Sequence, residues 1–111
     1  MITIPNYSEG DNIIFYIIKC KDPDVLFNYV GQTKNLKTTI RNLRNNVKTI
    51  SESKTVPGRL RICEVINNNG GWDNWQIDIL EEVTFKDKED MRLRKENWIE
   101  KCSWSGIKNI F

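Results

Sequence analysis

The 111-residue sequence predicts an α/β (α+β) domain, a small three-stranded antiparallel or mixed sheet flanked by three helices in the order ββααβα. Three observations carry this expectation. Residues 13–20 and 75–83 are β-branched and aromatic runs with the composition of strands. Leu36, Ile40, Leu43 and Val47 step by four, three and four, which is the spacing of one helical face. Turn-forming Asp22-Pro23-Asp24 and Asn69-Gly70-Gly71 punctuate the runs. The length suits one core, and 39% hydrophobic with 29% charged residues is the composition of a globular chain.

Residues 1–12 mix Pro5, Ser8, Gly10 and Asp11 without periodicity and read as an N-terminal arm, leaving 13–111 as a single domain. The first strand, 13–20, is apolar on both faces until Lys19, as a buried strand would be. A turn at 21–26 leads to a second strand at 27–31, and the pair forms an antiparallel hairpin. Thr33 or Asn35 caps the first helix. Its basic residues Lys37, Arg41, Arg44 and Lys48 each sit one position beyond an apolar one and flank the stripe. Residues 49–56 read as polar loop. Pro57 suits the start of a second helix with Leu60, Cys63 and Ile66 inward, ended by the glycine pair. The third strand closes on Glu81-Glu82, read as its wet end. Asp87 caps a third helix carrying Met91, Trp98, Ile99 and Cys102.

The sequence contains no histidine, which excludes Ser-His and Cys-His nucleophile pairs, histidine-ligated zinc and imidazole acid–base chemistry. Cys20, Cys63 and Cys102 are odd in number, far apart and without a CxxC pair. They read as small buried hydrophobes in a reducing, intracellular compartment. No apolar run reaches the length of a membrane span, so no membrane partner is expected. The net charge is +2, but residues 34–61 carry eight basic side chains against Glu52 alone. That segment nets +7 and leaves −5 to the rest of the chain. Lys34, Lys37, Arg41, Arg44 and Lys48 are therefore the candidate nucleic-acid contacts, since a phosphate backbone is drawn to a concentrated positive face.

The hairpin places Ile-Ile-Phe-Tyr (13–16) before the turn and Asn-Tyr-Val-Gly (28–31) after it, followed by Gln-Thr-Lys-Asn-Leu (32–36) and a helix. Farther on stand Asn-Gly-Gly-Trp-Asp-Asn-Trp (69–75) and Lys-Glu-Asn-Trp-Ile-Glu-Lys (95–101). In order and spacing these resemble the GIY-YIG nuclease domain over residues 13–111. Tyr16 matches the tyrosine of the first motif, with Ile14 in place of its glycine. Tyr29, Val30 and Gly31 match the second motif. Cys-Lys-Asp-Pro-Asp (20–24) and the doubled glycine are similar to versions in large DNA viruses, which implies a viral protein and, with a protein partner, a component of the virion.

The resemblance implies a three-stranded antiparallel sheet flanked by helices, and a metal-dependent hydrolysis of a DNA phosphodiester. In that family a tyrosine and its neighbour position the water, an arginine on the first helix stabilises the phosphate charge, and a glutamate on the last helix holds a divalent cation. This chain departs at the charged positions. Eight residues after Gly31 stands Thr39, which has no guanidinium. Leu43 occupies the place of a later histidine. Three residues before Trp98-Ile99 stands Lys95, which has no lone pair for a metal. Arg41 and Glu96 are the nearest substitutes, but they are turned about 200° and about 100° from the matched positions on an ideal helix; Glu96 reaches the metal position only through a shift of register. Asn109 matches an asparagine that lies near the phosphate in relatives.

The expectation is a degenerate GIY-YIG-like domain, without a cofactor and kept for structural or binding work. Its partner is nucleic acid along 34–61 or a protein of a larger assembly. The alternative is an active endonuclease that takes Mg2+ and uses Glu96 with Arg41 or Arg44. A third reading is a sequence-unspecific DNA-binding module.

Overall fold

The computed structural model of the chain describes residues 7–53, 61–102 and 108–109. Its elements are β1 (Asn12–Cys20), β2 (Phe27–Thr33), α1 (Leu36–Ser53), α2 (Arg61–Asn68), a single 3-10 turn (Trp72–Asn74), β3 (Trp75–Thr84), α3 (Lys88–Cys102) and β4 (Lys108–Asn109). The predicted α+β class and the order ββααβα stand. One strand goes beyond the expectation: the short β4 pairs in parallel with β2 through Phe27–Lys108 and Asn28–Asn109, giving the sheet order β3-β1-β2-β4. Two residues are too few for a periodic signal, so nothing in the sequence marks β4.

β1 is the centre of the sheet because it is the most apolar strand. Ile13, Phe15 and Ile18 are fully buried, and β1 pairs antiparallel with β2 on one side and β3 on the other. Its odd and even residues feed two separate cores, as the two-residue repeat of a strand requires. Ile13, Phe15 and Ile17 pack with Val30, Met91 and Cys102 beneath α3. Tyr16 and Ile18 pack on the other face with Leu43 and Val47 of α1 and Ile62, Cys63 and Ile66 of α2. The sheet is thus sandwiched between α1 with α2 and α3. A register shift at Phe15/Tyr16 pairs Phe15 with Glu81 but Tyr16 with Ile79, and Leu80, the extra residue, joins the α3 core.

Several local expectations need adjustment. The segment before β1 is anchored from residue 7 onward: Tyr7 meets Phe85 edge-on at 5.6 Å, and the backbone pairs Gly10 N–Phe85 O and Phe85 N–Asp11 O hold it to the strand ends. α1 continues to Ser53 through the stretch read as loop from residue 49; Thr49 is compatible with this, returning its hydroxyl to the Asn45 carbonyl at 2.9 Å. Pro57, Leu60 and Trp104 lie outside the described residues. Asn35, not Thr33, is the N-cap, its Oδ1 accepting from Thr38 N at 3.1 Å. Asp87 caps α3 as predicted, accepting from Asp90 N at 2.8 Å. Glu81 is not a solvated strand end. Its carboxylate accepts from Arg94 at 3.0 Å and Trp98 Nε1 at 3.1 Å, tying α3 to β3.

Gly70 has φ +96°, and a side chain there would crowd Asn74, whose amide donates to the Asn69 carbonyl at 3.1 Å. The same carbonyl accepts from Trp75 Nε1 at 3.1 Å. The glycine pair therefore ends α2 and seats the 3-10 turn against it. Cys63 and Cys102 are buried and Cys20 half-buried, all three as free thiols. Burial pushes the Cys63 thiol up to about 11, with the Glu64 charge adding to it. Among the described residues no helix is long and apolar enough to cross a membrane.

Candidate functional site

The register of β1 with β2 sets Tyr16 opposite Gly31 and Ile18 opposite Tyr29. Tyr16, Tyr29 and Gly31 therefore share the sheet face that looks toward α1 and α2. The Tyr16 ring lies across Gly31: a β-carbon at that position would overlap Tyr16 Cζ and its hydroxyl and come within 2.8 Å of Tyr29 Cε1. The two rings sit 6.3 Å apart at 44°. The glycine is needed here for close approach, since its φ is not positive. Tyr16 is 4% exposed, and burial holds its phenol far above the ordinary tyrosine range, with the nearby phenols of Tyr29 and Tyr7 adding. Tyr29 is half-buried and shifted upward by burial and then by the Cys63 thiol. Both phenols are neutral at physiological pH, as water-positioning hydroxyls or packing residues alike would be.

Two residues beyond Gly31, Thr33 continues the same face. Its Oγ1 meets Thr39 Oγ1 at 2.7 Å and accepts from Asn35 N at 3.1 Å. Thr39, eight residues after Gly31, thus faces the strand that carries Tyr29 and Gly31, and its hydroxyl is occupied by a neutral partner. The Tyr29, Gly31, Thr33 alternation was available in the sequence, but with β2 ended at Gly31 it was missed. Leu43 is buried in the α1–α2 core.

Lys95 stands elsewhere. It shares the inner face of α3 with Met91, Trp98 and Cys102, which pack on Ile13, Phe15, Ile17 and Val30. It is half-buried, and desolvation lowers its pKa. α3 covers the reverse side of the sheet, so the two tyrosines and Thr39 are together while Lys95 is separated from them by the sheet. α3 runs as one helix from Lys88 to Cys102. Glu96 points outward, exposed and bonded to Arg92 at 2.7 Å. Neither residue fits a divalent cation beside the tyrosines: Lys95 offers no lone pair, and Glu96 is on the solvent side of α3. Among the described residues no three Cys, Asp or Glu side chains are grouped to hold a metal.

Asn109 reaches the sheet as part of β4, its backbone paired with Asn28. Asn28 is buried, donates its amide to the Cys102 carbonyl at 2.8 Å, and leaves its Oδ1 without a partner among the described residues. It is a buried polar residue that the apolar patterning of β2 hid.

The basic residues of α1 lie on its exposed side. Leu43 and Val47 are buried and Lys37, Arg41, Arg44 and Lys48 exposed, as the stripe predicts. Among the described residues no ion pair neutralises these four, whereas Lys34 is held by Asp11 at 3.3 Å. Below the C-terminal half of α1, Arg44, Val47 and Lys48 face Asn67, Trp72 and Asp73 across a groove of about 350 Å³. Comparison with known protein families, curated proteins and solved structures returns no match for this chain.

Proposed function

We propose that this chain is a GIY-YIG-like domain that no longer cleaves phosphodiesters and binds nucleic acid through the basic face of α1. The observation that carries the reading is the tyrosine–glycine–tyrosine packing of β1 and β2 with Thr39, bonded to Thr33, at the position where the family's arginine would approach. The resemblance of residues 13–111 to that family supports the ancestry. The neutral hydroxyl pair supports the loss, because threonine supplies no charge to a phosphoryl transition state. One such electrostatic group is worth about 2.7–4 kcal/mol of barrier by analogy with an oxyanion donor. Lys95 on the reverse of the sheet and the outward Glu96 leave the tyrosines without a metal carboxylate among the described residues.

Binding is the activity that the remaining surface supports. Lys37, Arg41, Arg44 and Lys48 are exposed along one edge of α1 and span about 16 Å of helix, a length that suits a run of phosphates. The test is electrophoretic mobility of labelled DNA with the full chain across a salt series. Affinity is expected to fall steeply with salt and to drop when Arg41 and Arg44 are changed to Glu. Affinity indifferent to salt and to both substitutions would overturn the nucleic-acid assignment and leave a protein partner as the remaining use of the fold.

A further inference from the structure

The basic edge of α1 does not end in open solvent. Arg44 and Lys48 form one wall of the groove of about 350 Å³, and the half-buried Trp72 of the 3-10 turn lines it with them. Trp72 is held there by the fold. Its inner part packs against the α1–α2 core, and the turn that carries it is fixed by Asn74 and Trp75 to the Asn69 carbonyl. Asp73 is braced from the other side, its carbonyl accepting from Lys21 Nζ at 3.0 Å. The groove therefore joins a rigid aromatic ring to two cations with no ion-pair partner among the described residues.

We infer that this groove takes one nucleotide of a single-stranded nucleic acid, its base stacked on Trp72 and its phosphate held by Arg44 and Lys48. The inference rests on the nucleic-acid reading of α1 and gives it a strand type. The volume lies at the small end of ligand sites, which suits a single nucleotide unit. A base in a duplex has both π-faces covered by its neighbours and cannot stack on a protein ring, whereas an unstacked base can. The charge fixes the orientation. The Asp73 carboxylate disfavours a phosphate at the turn, so the phosphate lies toward α1 and the base toward Trp72. Asn67, with an amide donor and an acceptor, stands on the α2 side and suits contact with a base or sugar edge. A polymer is favoured over a free nucleotide because Arg41 and Lys37 extend the same basic edge beyond the groove, where only flanking phosphates of a continuous strand would meet them.

The experiment is fluorescence anisotropy of a labelled oligothymidylate of about ten nucleotides with the full chain, competed by unlabelled duplex of the same length and by thymidine monophosphate. The oligothymidylate is expected to bind more tightly than either competitor. Trp72→Leu should weaken it about five- to 150-fold. Arg44→Ala with Lys48→Ala, both at exposed positions that leave the core untouched, should reduce the steepness of log affinity against log salt by about 1.4. If Trp72→Leu does not fold, the preference of the unchanged chain for single strand over duplex still decides the matter. Duplex bound as tightly as the single strand, or a folded Trp72→Leu that binds as the unchanged chain does, overturns the groove while the basic-face reading survives; a salt dependence unmoved by the exposed pair overturns both. Equal affinity for the monophosphate overturns the polymer assignment. Absence of binding to every nucleic acid overturns both the groove and the function proposed above.

Discussion

Gly31 carries the most specific local demand in the molecule. It can be nothing larger, because the Tyr16 ring occupies the space of its β-carbon. Gly31→Ala is therefore expected to cost about 1–3 kcal/mol by overpacking, read as a lowered midpoint of chemical denaturation; an unchanged midpoint would mean that the ring moves aside freely. The tyrosines give a pH signature. All three phenols of the chain are shifted upward chiefly by burial, so in the fold they stay neutral where the unfolded chain ionises. The stability this lends is full below the ordinary tyrosine pKa of about 10 and is lost as pH rises above it. A native phenolate titration by ultraviolet absorbance should accordingly run above that of the denatured chain, and coincident curves would contradict the burial. Lys95 is the opposite case, an ammonium disfavoured by desolvation, and Lys95→Met is expected to raise the denaturation midpoint. A lowered midpoint would show that the charge has a partner. These residues were singled out in the sequence by a resemblance. Their sidedness was not, since only strand alternation plus the packing of α3 reveals that Lys95 and the tyrosines lie on opposite faces.

Among the elements, the caps and apolar stripes were the easiest to read. The α1 stripe sends Leu43 and Val47 inward and its basic residues outward, and Asp87 begins α3 where it stands in the chain. Asp87→Ala should cost about 0.5–2 kcal/mol in chemical denaturation, with no loss expected if the Asp90 amide is served by water instead. The extension of α1 to Ser53 was missed because Thr49, Ser51, Glu52 and Ser53 read as polar loop and outweighed Ile50, which continues the spacing three residues after Val47. Glu81 was misjudged for a related reason: an acid in a strand reads as solvated until α3 brings Arg94 and Trp98 to it. The short β4 carried no signal at all. What could be read, then, was whatever one element specifies alone, and what could not was whatever two elements specify by meeting.

For the whole molecule, one sheet separates two arrangements of charge. On one side the tyrosine pair, the Thr33–Thr39 bond and the basic edge of α1 stand together; on the other α3 ties itself to β3 and pairs Glu96 with Arg92. On the function proposed, such a molecule holds a phosphate backbone without breaking it, because the neutral Thr39 stands bonded to Thr33 beside the tyrosines and, among the described residues, α3 brings no carboxylate to that face. A single gel reads both halves of that claim: supercoiled plasmid incubated with the full chain and Mg2+, run before and after removal of the protein by protease. Retarded migration is expected before proteolysis, and intact supercoiled plasmid after it. Nicked plasmid that depends on Mg2+ and disappears with Tyr29→Phe would contradict that claim.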